Sequence, residues 1–198
     1  MKFNKLFFSL ITLFAVANLA FTPANDGNIT GTTNVNVEKS TVAWKGYKVT
    51  GEHNGNVKLK SGSLQWDNGT LTGGSFEIDM TSISCNDLEG EWSDKLVGHL
   101  KSDDFFGVAN HPTATFTITK AIPYGTEGKY KIVGNLTIKE ITKEIKFNAD
   151  VKGSSATADI IVDRSNYNVK YGSGSFFDNL GDKTIYDEFD LTVSLVTE

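Results

Sequence analysis

The sequence has little of what disulfide scaffolds, cysteine zinc sites and nucleic-acid-binding proteins require. It contains one cysteine, three histidines and three prolines in 198 residues. A single cysteine excludes a disulfide framework and a zinc site built from cysteines. Arg164 is the only arginine among 19 basic residues, and 24 acidic residues give a net charge of −5. This balance argues against a phosphate-binding surface, so we expect no nucleic-acid partner.

Sequence patterns that mark catalytic and metal sites are also absent. There is no G-x-S-x-G turn, no P-loop and no G-x-G-x-x-G segment. The histidines, His53, His99 and His111, are not spaced as a helical metal pair, and no cysteine cluster accompanies them. Two acidic pairs, Asp103-Asp104 and Asp187-Glu188, are interpreted as solvated surface charge. We therefore expect no catalytic residues, no cofactor and no metal, and predict that the protein is not an enzyme.

The first 24 residues have the layout of a secretory signal peptide. Lys2 and Lys5 give a basic start, residues 6–17 are mostly apolar, and Ala15-Val16-Ala17 is a cleavage site of the A-x-A type. The apolar run is shorter than the roughly 20 residues that span a bilayer, which favours a removed signal over a membrane anchor. The sequence therefore predicts a periplasmic or secreted protein without stable membrane insertion.

The rest of the chain alternates apolar and polar residues with a period of two. Residues 25–38 are interpreted as a lead-in that holds a short strand at 34–37, and residues 39–198 as one domain. One apolar and one polar face per run is typical of antiparallel strands with one solvated side. The alternation predicts strands at 42–49, 57–66, 71–80, 113–119, 129–139, 144–151, 156–162 and 188–195.

Two segments break this alternation. Leu88, Trp92, Leu96 and Leu100 are spaced by four, which predicts a helical insertion near residues 86–101 with Trp92 as a lid residue. Residues 165–183 form an irregular stretch rich in glycine and aromatic residues, too long for an ordinary turn. About eight antiparallel strands with one helix predict an all-β fold, and the pattern leaves a closed barrel and a sandwich as alternatives.

Four segments resemble the motifs of one family. Residues 99–106 read H-L-K-S-D-D-F-F, and residues 111–116 read H-P-T-A-T-F. Residues 130–143 contain G-N-L-T-I followed by I-T-K, and residues 163–167 read D-R-S-N-Y. In this order and spacing, over roughly residues 40–195, they resemble the YceI-like family of lipocalin-like, polyisoprenoid-binding proteins. The sequence departs from the family pattern at Glu140, where a hairpin glycine is usual.

The resemblance implies an extended antiparallel barrel of lipocalin type that binds a long isoprenoid chain, such as a polyprenyl or quinone tail. Strand alternation and the helical insertion then select the residues that line this tunnel. They are Trp44, Phe76, Ile78, Leu96, Leu100, Phe105, Phe106, Phe116, Ile118, Leu136, Phe147, Ile160, Tyr167, Phe177, Phe189 and Leu191.

Two polar residues, His99 and Arg164, are predicted near the tunnel mouth. The planar fork of Arg164 suits either contact with the ligand or anchoring of residues 165–183, and anchoring is favoured. The rings of His99 and His111 are expected to bond to the backbone. Cys85 is expected to be a small buried side chain without a partner.

Burial of hydrocarbon explains why the sequence does not name the ligand. Each buried CH₂ contributes ~0.8 kcal/mol, so any long chain gains affinity without a diagnostic polar residue. We predict a carrier or sequestering protein for a long-chain isoprenoid or other lipid. A barrel enzyme acting on a similar substrate and a filled barrel serving as an interaction module are the alternatives, and a homodimer is left open.

Export gives the first testable prediction. We expect the mature chain to begin between residues 18 and 25, because the charged, apolar and small-residue segments end there. Sequencing the N-terminus of protein isolated from its native host measures this directly. A cytoplasmic product that starts at Met1 contradicts the prediction.

Overall fold

The computed structural model describes residues 29–198. The predicted signal peptide and the first residues of the predicted lead-in lie outside the described residues. Within residues 29–198, no helix is long and apolar enough to cross a membrane.

The described chain forms strands joined by short turns, with one α-helix after the fourth strand. Short 3₁₀ turns follow the eighth strand at Arg164–Tyr167 and precede the last strand at Gly181–Lys183. The elements are β1 (Gly31–Asn34), β2 (Thr41–Lys48), β3 (Gly51–Asp67), β4 (Thr70–Cys85), α1 (Gly90–Lys101), β5 (Thr113–Pro123), β6 (Lys129–Ile138), β7 (Ile141–Lys152), β8 (Ser155–Asp163) and β9 (Ile185–Val196).

Strand β3 closes the sheet into a barrel. The strand order is β1-β3-β2-β9-β8-β7-β6-β5-β4, and β4 pairs back onto β3. All of these pairings are antiparallel. At 17 residues, β3 is long enough to pair with β2 near its start, with β4 along most of its length and with β1 near its end. Strands β2 to β9 thus form a closed eight-stranded barrel, which confirms the predicted all-β barrel and excludes the sandwich.

Several elements differ in their bounds from the prediction, and the strands predicted at 57–66, 71–80 and 144–151 extend over 51–67, 70–85 and 141–152. The helix begins at Gly90 rather than near residue 86, because Ser84 and Cys85 still pair with β3 and the N–H of Asn86 bonds to its neighbour strand at Asn54. The first short strand is Gly31–Asn34 rather than 34–37, because it pairs with the far end of β3 at residues 63–66.

The turn between β6 and β7 explains the departure at Glu140. Lys139 and Glu140 have φ angles of +50° and +62°. A two-residue hairpin turn with positive φ at both central positions is the type that favours glycine and asparagine. Glu140 therefore adopts the left-handed conformation although it is not glycine. The side chain of Lys139 donates to the carbonyl of Phe105 at 3.0 Å.

Aromatic rings fill the middle of the barrel around Phe116. Its ring lies 6.2 Å from the ring of Phe76 and 5.5 Å from that of Phe147, measured between centroids. It also covers Gly134 on β6, where a Cβ atom would lie 2.4 Å from the Phe116 ring and 2.6 Å from the carbonyl oxygen of Thr117. A residue larger than glycine at this position therefore forces the ring or the backbone to move.

Gly134→Ala tests this packing. We expect it to lower the free energy of unfolding by about 1–3 kcal/mol, because an added methyl group overpacks a filled site. Gly46→Ala is the matched control, since Gly46 also lies in a strand but a Cβ there meets no atom within 4 Å. Urea denaturation of both variants provides the comparison, and an equal effect of the two substitutions contradicts the arrangement.

Candidate ligand-binding cavity

The barrel interior contains two adjoining cavities. The first, the hairpin chamber, has a volume of about 120 Å³ and lies toward the β3–β4, β5–β6 and β7–β8 turns. It is lined by Leu59, Leu64, Leu71, Phe76, Phe116, Ile118, Ile132, Ile145, Phe147, Ala149, Val151, Ala156, Thr157, Ala158, Ile160, Val193 and Leu195, and by the shared residues given below.

The second cavity, the helix chamber, has a volume of about 280 Å³ and lies beneath α1. Its own lining residues are Trp44, Gly46, Tyr47, Lys48, His53, Val57, Met80, Ile83, Leu96, His99, Leu100, Phe105, Phe106, Ala114, Ile138, Arg164, Ile185, Tyr186 and Phe189. Val42, Ile78, Leu136 and Leu191 line both chambers. The chambers therefore adjoin inside the barrel, with these four side chains between them.

The interior is hollow and almost entirely apolar. Thr157 is the one polar residue that borders the hairpin chamber, and it is exposed to solvent. Phe147, Ala149, Ile160 and Leu191 all line that chamber, yet each retains accessible surface. These inward side chains pack against the core and border the cavity at the same time. In the helix chamber, the polar lining residues Lys48 and Tyr186 are exposed, whereas Arg164 is buried.

The structure places most of the predicted tunnel residues on one of the two chambers. On the hairpin chamber are Phe76, Ile78, Phe116, Ile118, Leu136, Phe147, Ile160 and Leu191, and on the helix chamber Trp44, Leu96, Leu100, Phe105, Phe106 and Phe189. His99 and Arg164 also line the helix chamber. Ligand binding by these residues remains a prediction.

Three expected residues lie outside the chambers. Tyr167 is 1% exposed and packs in the 3₁₀ turn after β8, where burial and the nearby carboxylate of Asp163 raise the pKa of Tyr167 to about 12. Phe177 is 50% exposed and Trp92 70% exposed, and neither contributes to the lining. The sequence of residues 165–183 has no strand or helix period, so it could not predict which of their side chains point inward.

Several lining residues were missed by the sequence prediction. Ile132 and Ile145 face the same interior as Leu136 and Phe147, and the same alternation would have found them. At the mouth, Lys48 follows Trp44 and Gly46 at a spacing of two. Tyr47 and Tyr186 had no such signal, because the pairing of β2 with β9 shifts register there.

Arg164 anchors the chain after β8. Its guanidinium donates to the carbonyl oxygens of Val169 at 2.8 Å, Ile185 at 3.0 Å and Tyr186 at 3.1 Å. The side chain is 2% exposed and lies 3.4 Å from the carboxylate of Asp187. Burial lowers the pKa of Arg164, and the nearby carboxylates oppose that shift. The guanidinium remains charged, and three of its five N–H donors bond to backbone carbonyl oxygens.

His99 lines the helix chamber and has a buried, unpaired ring nitrogen. Its ring packs against Phe105 at 5.8 Å and Tyr171 at 4.4 Å between centroids. The Nε2 atom is buried and has no hydrogen-bond partner within residues 29–198. The expected backbone bond is therefore absent at this atom. For His111 the expectation was also wrong, since its Nδ1 atom faces the carboxylate of Glu140 at 3.8 Å.

The mouth of the helix chamber lies between the β2–β3 hairpin, α1 and the start of β9. Gly46 pairs with Phe189 and Lys48 with Ile185, so β9 has two more residues than β2 in this interval. This bulge interrupts the ladder beside Tyr47 and Tyr186, which both line the chamber. The pairing of β2 with β9 is thus irregular beside the chamber.

A small polar cluster borders the same mouth. Asp87 accepts from His53 at 2.8 Å and from the N–H of Asn54 at 2.9 Å. Cys85 is half-buried rather than buried, and its thiol donates to Asp87 at 3.4 Å. Burial of the carboxylate favours its neutral form, but these three hydrogen bonds outweigh burial and lower the pKa of Asp87 to about 2. No group of three or more potential metal ligands occurs among the described residues.

Comparison with known proteins identifies the family. The model of the YceI-like domain matches residues 34–197. The chain belongs to the YceI-like family. A UPF0312 protein of Pectobacterium atrosepticum is 40% identical over 76 residues, which cover 38% of this chain and 35% of that protein. A UPF0312 protein of Vibrio vulnificus is 31% identical over 102 residues, half of each chain. The chain thus spans about a third to a half of the length of these curated relatives.

Solved structures share the fold of this YceI-like chain. BcnA of Burkholderia cenocepacia superposes with a TM-score of 0.67 at 23% identity, covering 83% of this chain and 99% of BcnA. A polyisoprenoid binding domain from Saccharophagus degradans gives a TM-score of 0.59 at 14% identity, covering 86% of this chain and all of that one. The YceI protein of Campylobacter jejuni gives 0.54 at 18% identity, covering 100% of this chain and 99% of that one.

The low pKa of Asp87 gives a prediction about acid stability. A carboxyl group whose pKa falls on folding stabilises the protein above its unfolded pKa, and this stabilisation is lost as the pH falls toward the folded pKa. Asp87→Asn should therefore cost about 1–2 kcal/mol at pH 6. The difference in the free energy of unfolding between this variant and the unmodified protein should shrink between pH 4 and pH 2, by at most about 1.4 kcal/mol per pH unit.

Urea denaturation at several pH values measures this effect. Asp178→Asn is the control, since the Asp178 side chain makes no hydrogen bond or ion pair within residues 29–198. A loss for Asp87→Asn that stays constant down to pH 2 argues against the hydrogen-bonded carboxylate.

Proposed function

We propose that this YceI-like protein binds one long-chain isoprenoid lipid inside its barrel and carries or sequesters it. The tail occupies the hairpin chamber, and the polar head lies in the helix chamber near the mouth. The predicted signal peptide supports a role outside the cytoplasm.

The two adjoining apolar chambers inside the barrel carry this proposal. Small-molecule sites are about 300–1,000 Å³ in volume and mostly apolar, with a few polar groups that fix orientation. The helix chamber of about 280 Å³, extended by the hairpin chamber of about 120 Å³, has this composition. An elongated shape suits a chain better than a compact molecule. The polyisoprenoid binding domain of Saccharophagus degradans shares the fold, which supports an isoprenoid as the first ligand to test.

The polar groups of the helix chamber favour a neutral head group. Three of the five Arg164 donors are engaged by carbonyl oxygens, the buried guanidinium also lies beside Asp187, and Lys48 is exposed. A phosphate or pyrophosphate needs several free charged donors in a convergent arrangement. The ring of His99 lines the chamber and its buried Nε2 atom is unpaired, so His99 is the candidate partner for one hydrogen bond to a head group. A single carbonyl or hydroxyl group, as in a quinone or an isoprenoid alcohol, can form that one hydrogen bond.

Catalysis is less well supported by the same residues. Cys85, His53 and Asp87 are neighbours, but the thiol and the imidazole both bond to the carboxylate. A nucleophilic cysteine would instead need the imidazole as its base. The hollow interior also favours a carrier over the filled barrel that an interaction module would have.

The direct test is extraction of the protein with organic solvent after purification from its native host. Mass spectrometry of the extract should show one long-chain lipid per protein molecule, with a neutral head group. An extract without lipid, together with no binding of isoprenoid quinones or alcohols by the purified protein, contradicts the proposal.

Filling the hairpin chamber should shorten the chain that the protein accepts. Ala149 and Ala158 face each other across the β7–β8 pair and both line this chamber. Ala149→Leu should lower the affinity for a long isoprenoid chain about tenfold, because each displaced CH₂ contributes ~0.8 kcal/mol. Asn148→Leu, on the exposed face of the same strand, should leave binding unchanged. Titrations with quinones of increasing tail length measure the effect, and equal losses at every length contradict it.

Removing the unpaired nitrogen should affect only ligands with a polar head. His99→Leu should weaken binding of an isoprenoid quinone about 3- to 10-fold, the value of one neutral hydrogen bond. Binding of squalene, an isoprenoid without a head group, should not change. His99→Gln should restore part of the quinone affinity, and His111→Leu controls for the loss of a histidine outside both chambers. Equal losses for quinone and squalene show a role in packing instead.

A further inference from the structure

Exposed apolar side chains gather around the mouth of the helix chamber. We call this set the apolar rim, and its members are Val49 (50% exposed), Trp92 (70%), Tyr171 (48%), Phe176 (41%), Phe177 (50%) and Tyr186 (53%). Elsewhere in residues 29–198, only Ile29, Ile122 and Ile161 are large apolar residues with comparable exposure. A soluble protein rarely exposes a group of aromatic residues at one place without a binding role.

Hydrogen bonds connect the parts of the rim beside β9. The N–H of Val49 donates to the carbonyl of Thr184 at 3.1 Å, and the N–H of Ile185 donates to the carbonyl of Gly172 at 2.8 Å. Tyr186 itself lines the helix chamber. Tyr171 lies one residue before Gly172, and its ring contacts His99 on α1 at 4.4 Å. The rim therefore follows the edge of the mouth from the β2–β3 turn to the helix.

Trp92 continues the rim on α1. It precedes Leu96 by four residues and His99 by seven, so all three side chains lie on one face of the helix. Leu96 and His99 line the helix chamber, whereas Trp92 does not. At a rise of about 1.5 Å per residue, Trp92 lies roughly 10 Å beyond His99 along the helix axis. Its ring thus projects past the chamber at the border of the mouth, with the ammonium of Lys95 5.1 Å from it.

The two phenylalanines are held on the surface by their own loop. The N–H groups of Phe176 and Phe177 donate to the carbonyl of Ser173, which is fully buried, at 3.2 and 3.0 Å. Ser175 donates to the carboxylate of Asp187 at 2.6 Å. These bonds fasten the loop backbone to the start of β9. The two rings are consequently displayed to solvent by an ordered turn.

The composition of the rim matches the interface of a phospholipid bilayer. Tyrosine, tryptophan and phenylalanine are suited to the boundary between head groups and acyl chains, and lysines extend their ammonium groups toward head groups. Lys48, Lys170 and Lys183 lie beside the rim and form no ion pair within the described residues. Asp178 and Asp182, together with Glu89 and Asp94 beside Trp92, offset that charge. Attraction should therefore depend on apolar contact more than on charge.

The location of the rim also points to a bilayer. It surrounds the opening of an apolar space sized for a lipid, and such lipids are dissolved in membranes rather than in water. A lipid that crosses water exposes its whole tail, at a cost of ~0.8 kcal/mol per CH₂. Contact between the mouth and the membrane removes that cost, because the tail passes from one apolar environment directly into another.

We infer that the apolar rim docks reversibly on the surface of a phospholipid bilayer and passes the lipid between the membrane and the helix chamber. The transfer step rests on the proposed lipid-binding function, whereas the docking step can be measured without it. The contact is peripheral, since the rim consists of a few side chains at one end of the barrel.

Flotation with vesicles of phosphatidylcholine and phosphatidylethanolamine tests the docking. The double variant Trp92→Glu/Phe177→Glu should reduce the partition coefficient about tenfold or more, because two rings no longer enter the interface. Ile161→Glu/Ile122→Glu is the matched control, since both isoleucines are exposed apolar residues on the barrel wall. The control should bind vesicles as the unmodified protein does. Addition of 0.5 M salt should change vesicle binding by the unmodified protein less than twofold.

Ligand transfer separates docking from the lipid-binding function. The rate at which the protein takes an isoprenoid quinone from donor vesicles should fall in the rim variant, while its equilibrium affinity for a detergent-dispersed quinone should stay the same. If the protein binds vesicles but not quinones, the docking inference stands and the proposed function is contradicted. Equal vesicle binding by both double variants overturns the docking inference. The docking inference is also overturned if the unmodified protein forms a dimer and the rim variant does not, because a second copy of the chain then covers the rim.

Discussion

The pairing of β3 with β4 is the constraint on which the rest of the structure depends. Because β3 bonds to β2 on one side and to β4 on the other, the sheet has no free edge between β2 and β9. Closure forces every strand to turn one face inward, and the alternating sequence makes that face apolar. Eight strands enclose more space than these side chains fill, so the interior stays open around Phe116 and beyond it.

The two ends of the barrel are built differently. At the hairpin end, Leu64, Leu71 and Ile132 are at most 3% exposed, and the N–H of Leu71 donates to the hydroxyl of Tyr130 at 3.3 Å. At the helix end, closure depends on α1 and on the chain after β8, which Arg164 fixes by three hydrogen bonds. Separate elements laid over an opening can move without breaking the ladder, whereas the tight turns of the other end cannot.

Strand alternation was enough to predict which side chains of β4, β5 and β7 reach the interior, because the period of two is a property of every strand. The same reasoning failed for Tyr167 and Phe177, which belong to an irregular segment whose orientation is set by the bonds of Arg164 and Ser173. Family motifs implied a hollow barrel, whereas the strand pattern alone left a filled barrel open, since a cavity is a difference between enclosed volume and side-chain volume. The unpaired Nε2 atom of His99 likewise arises from tertiary contacts that no motif encodes.

These features together limit how the protein can select a ligand. The hairpin chamber is lined by apolar side chains and by the exposed Thr157, so it can distinguish ligands only by length and width. The charged and hydrogen-bonding side chains lie on the helix chamber, where Arg164 bonds to three carbonyl oxygens and the Nε2 atom of His99 has no partner. A buried polar atom that lacks a partner costs free energy, which a ligand that supplies a hydrogen bond would recover. Under the proposed function, this asymmetry is the reason that the tail should enter first and the head should stay near His99.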